Sequence, residues 1–231
     1  MPIPAEIRGR YRVWKTEIGR SADRIETMFS SAPFRLAAAD FLRRTRAGRE
    51  KAFGQLRRLY DDAGVRFIDR EGPRLARWAY LQHTGEGWVH AMLSTLSRRD
   101  VGSHTWLLSF SDHALQRALQ RSPPGLDLTA LCWEAVDAAR GLSLNFLWKK
   151  TTPDRFRIGA GDGAFACDLS WARGAPDRVP LIEANTWLAN DQMTRLQELQ
   201  VVPEGEPNDR FDDVYREFRS RWSQPAMEFA Q

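Results

Sequence analysis

The chain has 231 residues, 42% hydrophobic and 28% charged, which fits one large domain, or one domain with a helical extension, and argues against wholesale disorder, collagen and a disulfide-stapled miniprotein. No apolar run approaches the roughly 20 residues that span a bilayer. The opening MPIPAEIRGRYRVWK lacks an apolar leader core, so a cytoplasmic protein with no membrane attachment is expected. The net charge of +4 is uneven: residues 1–60 carry 14 Lys or Arg against 6 Asp or Glu, a net of +8, and residues 201–231 carry 4 against 7, a net of −3.

Residues 5–60 read as helices. Ile7, Tyr11, Trp14 and Ile18 recur at three- and four-residue steps, giving one apolar stripe. Ser21 is placed to cap a short continuation through Met28, and Pro33 suits the first turn of a further helix. Phe53, Leu56, Leu59 and Tyr60 mark a last helix before the DDAG turn at Asp61–Gly64. The polar face of this region holds Arg43, Arg44, Arg46, Arg49, Lys51, Arg57 and Arg58.

The pattern then turns to strands. Leu75–His83 and Trp88–Leu96 form an expected hairpin around Thr84–Gly87, and Thr105–Phe110 is a third strand. Ser111 opens a helix that runs to Arg121 and stops at Ser122-Pro123-Pro124-Gly125. Asp127 caps another, expected to end at Gly141. Strands are expected at Leu144–Trp148, Phe156–Gly159, Ala164–Trp171 and Val179–Leu188. Helices follow at about Asp191–Gln200 and up to Trp222. The expected fold is α+β, an antiparallel sheet of about five to seven strands packed by helices. It divides into a basic helical segment (1–62), an α+β core (63–200) and an acidic C-terminal helix and tail (201–231).

The sequence Ser111-Asp112-His113-Ala114-Leu115-Gln116-Arg117-Ala118-Leu119-Gln120-Arg121 carries the chemistry. On a helix, His113, Arg117 and Arg121 fall within about 80° of arc, and Ala114, Leu115, Ala118 and Leu119 fall opposite. Such a helix packs on a sheet and presents an imidazole and two guanidiniums in a row. An imidazole takes a proton at neutral pH, and guanidiniums hold the charge on a phosphorus under attack. RNA supplies its own 2′-hydroxyl nucleophile, so the chemistry implies no metal and no cofactor. The plain alternative is an amphipathic helix with a cationic wet face.

The pattern His-Ala-Leu-x-Arg-x-x-x-Arg at a helix start, followed by a second helix and antiparallel strands, resembles a family of small bacterial toxin-like domains. That family is related to the barnase–EndoU–colicin–RelE group of metal-independent ribonucleases. The resemblance spans roughly residues 105–190 and rests on His113, Arg117 and Arg121. It implies a catalytic helix beside a sheet, with a polar group from a late strand; by analogy this is Thr186, with Glu183 as the other candidate. The expected strand alternation groups Ile182, Ala184 and Thr186 on one side and Glu183, Asn185 and Trp187 on the other. The chain departs from the family in its long N-terminal region. It also has Ser122-Pro123-Pro124 where those domains have a glycine.

The implied function is a metal-independent endoribonuclease acting on cellular RNA, with a neutralising protein partner as the toxin-like corollary. Lys149, Lys150, Arg155 and Arg157, interleaved with Trp148 and Phe156, form a candidate grip for nucleic acid, alongside Arg43, Arg44 and Arg46. The alternatives are a non-catalytic nucleic-acid- or protein-binding factor and a mobile-element inhibitor of a host protein. His83, His90 and His104 have no ligand spacing and read as structural. Cys132 and Cys167 read as buried free thiols.

Overall fold

The computed structural model describes residues 2–43, 45–71, 75–97, 101–149, 155–171, 180–193 and 201–202. The fold is α+β. The chain divides into two compact units, Met1–Asp112 and His113–Gln231. The N-terminal helices belong with the first strands because an amphipathic helix needs an apolar face to cover.

In the first unit α1 (Ala5–Ser30) is one continuous helix. The expected break at Ser21 is absent. Its hydroxyl donates instead to the Ala63 carbonyl, 3.2 Å away, so the serine ties α1 to a later turn. Ser31 caps α2 (Ala32–Arg43): its Oγ accepts from the Phe34 N–H at 3.2 Å and donates to the Met28 carbonyl at 2.7 Å. After α3 (Arg46–Asp62), Gly64 adopts a positive φ of 77°, which lets the Gly64 and Val65 N–H groups reach the last carbonyls of the helix.

Four strands follow, β1 (Arg66–Glu71), β2 (Leu75–Thr84), β3 (Trp88–Ser97) and β4 (Val101–Ser111), in sequential antiparallel order. The sequence pattern hides β1, since Arg66, Asp69, Arg70 and Glu71 break its alternation. Two of these charges are spent in ion pairs, Arg70 with Glu50 at 2.6 Å and Asp69 with the buried Arg77 at 2.6 Å. Ala76–Leu81 and Val89–Leu96 are buried throughout, so both faces of this hairpin are covered. On one face Tyr60 stacks on Trp78 with centroids 4.1 Å apart, and Phe34, Phe41, Leu56 and Leu96 complete a core with Ile25 and Met28 of α1. Each such side chain contributes roughly 1.5–3 kcal/mol by leaving water.

The second unit takes up the chain in α4 (Asp112–Arg121) and α5 (Leu128–Lys149). Asp127 caps α5 as expected, accepting from the Thr129 and Ala130 N–H groups at 2.8 and 3.2 Å. The helix then runs through Gly141, and the strand expected at Leu144–Trp148 is its last two turns. A mid-helix glycine costs only about 1 kcal/mol, and a five-residue alternation is too short to outweigh continuation of the helix. Strands β5 (Arg155–Ala160), β6 (Gly163–Trp171) and β7 (Pro180–Ala189) pair antiparallel, and β8 (Val201–Val202) adds parallel to β5. α5 packs on β5 and β7, burying Leu131, Cys132, Ala135 and Val136 on the helix and Phe156, Ile158, Phe165 and Trp187 on the strands. Asn190–Gln192 form a short 3-10 turn; the rest of the helix expected at 191–200, and that up to Trp222, lie outside the described residues. No helix among the described residues is long and apolar enough to cross a membrane.

Candidate active site on α4

Helix α4 folds as its pattern demands. Ala114, Leu115, Ala118 and Leu119 are buried, which turns the opposite arc outward. His113 is exposed there, and Gln116, Arg117, Gln120 and Arg121 are half-buried. Arg117 is held within the row: its Nη1 donates to Gln120 Oε1 at 2.7 Å, and its Nε lies 3.5 Å from His113 Nε2. That long contact casts Nε2 as an acceptor, with the ring proton on Nδ1.

Partial desolvation, and then the charges of Arg117 and Arg121, push the His113 imidazole below its ordinary value. At neutral pH the ring is uncharged and able to accept a proton. Arg121 is committed elsewhere, since its Nη1 donates to the Trp187 carbonyl at 2.6 Å. It braces α4 against β7 while its charge still bears on His113. No residue pattern announces this brace, because its acceptor is a backbone carbonyl.

Thr186 departs from the expected alternation. The register steps from Cys167↔Ala184 to Ala166↔Thr186, leaving Asn185 as the extra residue of a β-bulge. The bulge reverses the parity of the strand. Trp187 joins Ile182 and Ala184 on the buried side, and Thr186 joins Glu183 on the half-buried side, with Ala166 and Asp168. Asn185 Nδ2 donates to Asp168 Oδ2 at 2.9 Å. A face bearing two carboxylates repels a phosphate, so Thr186 is poorly placed as its partner.

Of the basic-aromatic stretch only part is described. Trp148 belongs to α5, and Phe156 is buried on the opposite side of β5 from Arg157. Asp168 and Glu183 stand in register on the neighbouring strands β6 and β7. The side chains of Lys149 and Arg155, and the residues Lys150 and Arg44, lie outside what is described. Arg43 ends α2 and is exposed. Arg46 opens α3, also exposed, where its charge helps lower the Glu50 carboxyl, which is lowered chiefly by its hydrogen bond from Arg70.

Both cysteines are buried, and burial pushes their thiols far above the usual range, so they remain protonated and inert. Among the described residues, no three of His, Cys, Asp and Glu come together as a metal-binding group. Comparison with family models, curated proteins and solved structures finds no match.

Proposed function

We propose that the outward edge of α4 binds the phosphate of RNA and that the protein is a metal-independent endoribonuclease of the toxin-like kind. The observation that carries this reading is an exposed imidazole, kept neutral, with one guanidinium 3.5 Å away and the charge of a second acting on it. His113 Nε2 takes the 2′-hydroxyl proton, and the 2′-oxygen attacks the adjacent phosphorus. The bond to the 5′-oxygen breaks and that oxygen takes a proton from water, whose hydroxide recovers the proton held by His113, leaving a 2′,3′-cyclic phosphate, a 5′-hydroxyl and the neutral imidazole. Arg117 stabilises the charge that develops on the phosphoryl oxygens, and Arg121 holds α4 in place.

Purified protein incubated with total RNA in EDTA is expected to give shortened products. His113→Ala is expected to abolish cleavage with its circular dichroism unchanged. Full activity in that variant removes His113 from the mechanism. The rate of the wild-type enzyme is expected to fall on acidification, with a midpoint below the roughly 6.5 of free imidazole, because the base works only when neutral.

A second reading, nucleic-acid binding without catalysis, is favoured by the engagement of Arg121 and by the acidic surroundings of Thr186. Both remove groups that a fuller catalytic set would use. Binding that weakens steeply with salt, with the RNA intact, is the outcome that reading predicts.

A further inference from the structure

A second cluster of titratable groups lies wholly within the first unit. Asp112 is fixed from behind by its own N–H, which donates to the Gly87 carbonyl at 2.8 Å. Its carboxylate receives two bonds from α1: Tyr11 Oη donates to Oδ1 at 2.6 Å, and Lys15 Nζ to Oδ2 at 2.9 Å. These ties fall on the N-terminal half of α1, whereas Ile25 and Met28 anchor the C-terminal half in the core. His83 Nε2 stands 3.9 Å from Asp112 Oδ1, buried and without a hydrogen bond. Nearby, His90 bonds Ser109 through Nδ1 at 2.8 Å and meets Thr84 Oγ1 at 3.4 Å.

We propose that this cluster is a proton-sensitive latch, in which neutral His83 leaves Asp112 to Tyr11 and Lys15, and a proton taken up by His83 claims Asp112 Oδ1 and releases the N-terminal half of α1. A protonated imidazole brings its own charge-assisted bond to the carboxylate oxygen that Tyr11 holds, and so competes with the phenol for it. It also sets a second cation beside Lys15. Asp112 is held by the backbone, so α1 is the part that yields. The groups that bear on the two rings agree with this direction. Burial and Lys15 keep His83 neutral while Asp112 favours its charge; burial and His83 keep His90 neutral while Glu86 favours its charge. The latch is independent of the phosphate-binding reading of α4.

Amide hydrogen exchange of residues 8–18 in the full chain tests it, with rates corrected for the intrinsic effect of pH. Protection is expected to fall by about tenfold from pH 7.5 to 5.5, the scale of a single linked proton over one pH unit. The fall is expected to vanish in His83→Gln and to persist in His90→Gln. Lys15→Met is expected to lower protection at both pH values. Protection that does not change with pH in the wild type, an unchanged fall in His83→Gln, or a fall abolished only by His90→Gln overturns the proposal.

Discussion

Arg117 and Arg121 stand one turn apart on α4 and do different work. Arg121 reaches the Trp187 carbonyl at 2.6 Å, whereas the hydrogen bonds that join Arg117 to Gln120 and His113 stay on the surface of its own helix. Arg121→Ala is therefore expected to cost about 1–3 kcal/mol of stability, since it removes a charged donor and strands its acceptor. Arg117→Ala is expected to cost less, since its bonds to Gln120 and His113 are local to one helix. Urea unfolding of the two variants checks the ranking, and equal losses would mean that Arg121 is not a brace. The row of His113, Arg117 and Arg121 was legible from helical spacing alone. The brace was not, because its acceptor lies 66 residues away on the backbone of β7.

Among the elements, β6 and β7 are fixed by one close approach. A Cβ on Gly163 would overlap the Leu188 carbonyl and the Trp187 ring. Gly163→Ala is expected to destabilise the protein by about 1–3 kcal/mol, because the neighbour strand and its buried Trp187 must both give way. Thermal unfolding measures this, and an unchanged Tm would refute the packing of Trp187 over Gly163. The hairpin of Leu75–Thr84 and Trp88–Ser97, marked by its glycine-containing turn, and the capped start of α5 could be read directly from the sequence. The second half of α5 could not, because Leu142, Leu144 and Phe146 alternate with Ser143 and Asn145 as they would on a strand, and the helix overrides that local pattern. The face of Thr186 was missed for another reason. A single extra residue, Asn185, reverses the parity of a strand, and nothing in its chemistry announces a bulge.

Across the whole molecule, His83, His90 and His113 are all held below the ordinary imidazole value, each chiefly by desolvation. A depressed folded-state value means that the unfolded chain binds the proton more readily. The associated stability is fully present above about pH 6.5 and is lost as pH falls through the folded values. The urea midpoint is expected to be flat from pH 8 to 7 and to drop on further acidification, and His83→Gln is expected to soften the drop. A midpoint that rises on acidification contradicts the direction of all three shifts. At this scale the α+β class was legible from the change of period after Gly64. The division after Asp112 was not, since composition hardly changes there and only the packing of helices on strands reveals it.

Whether the His113 edge of α4 receives a phosphodiester, as proposed, is read from an NMR titration of the His113 ring. With a non-cleavable 2′-deoxyoligonucleotide at low salt, the midpoint of that ring is expected to rise, because a bound anion favours the imidazolium, and Arg117→Ala is expected to diminish the rise. A His113 titration that is the same with and without the oligonucleotide contradicts the claim.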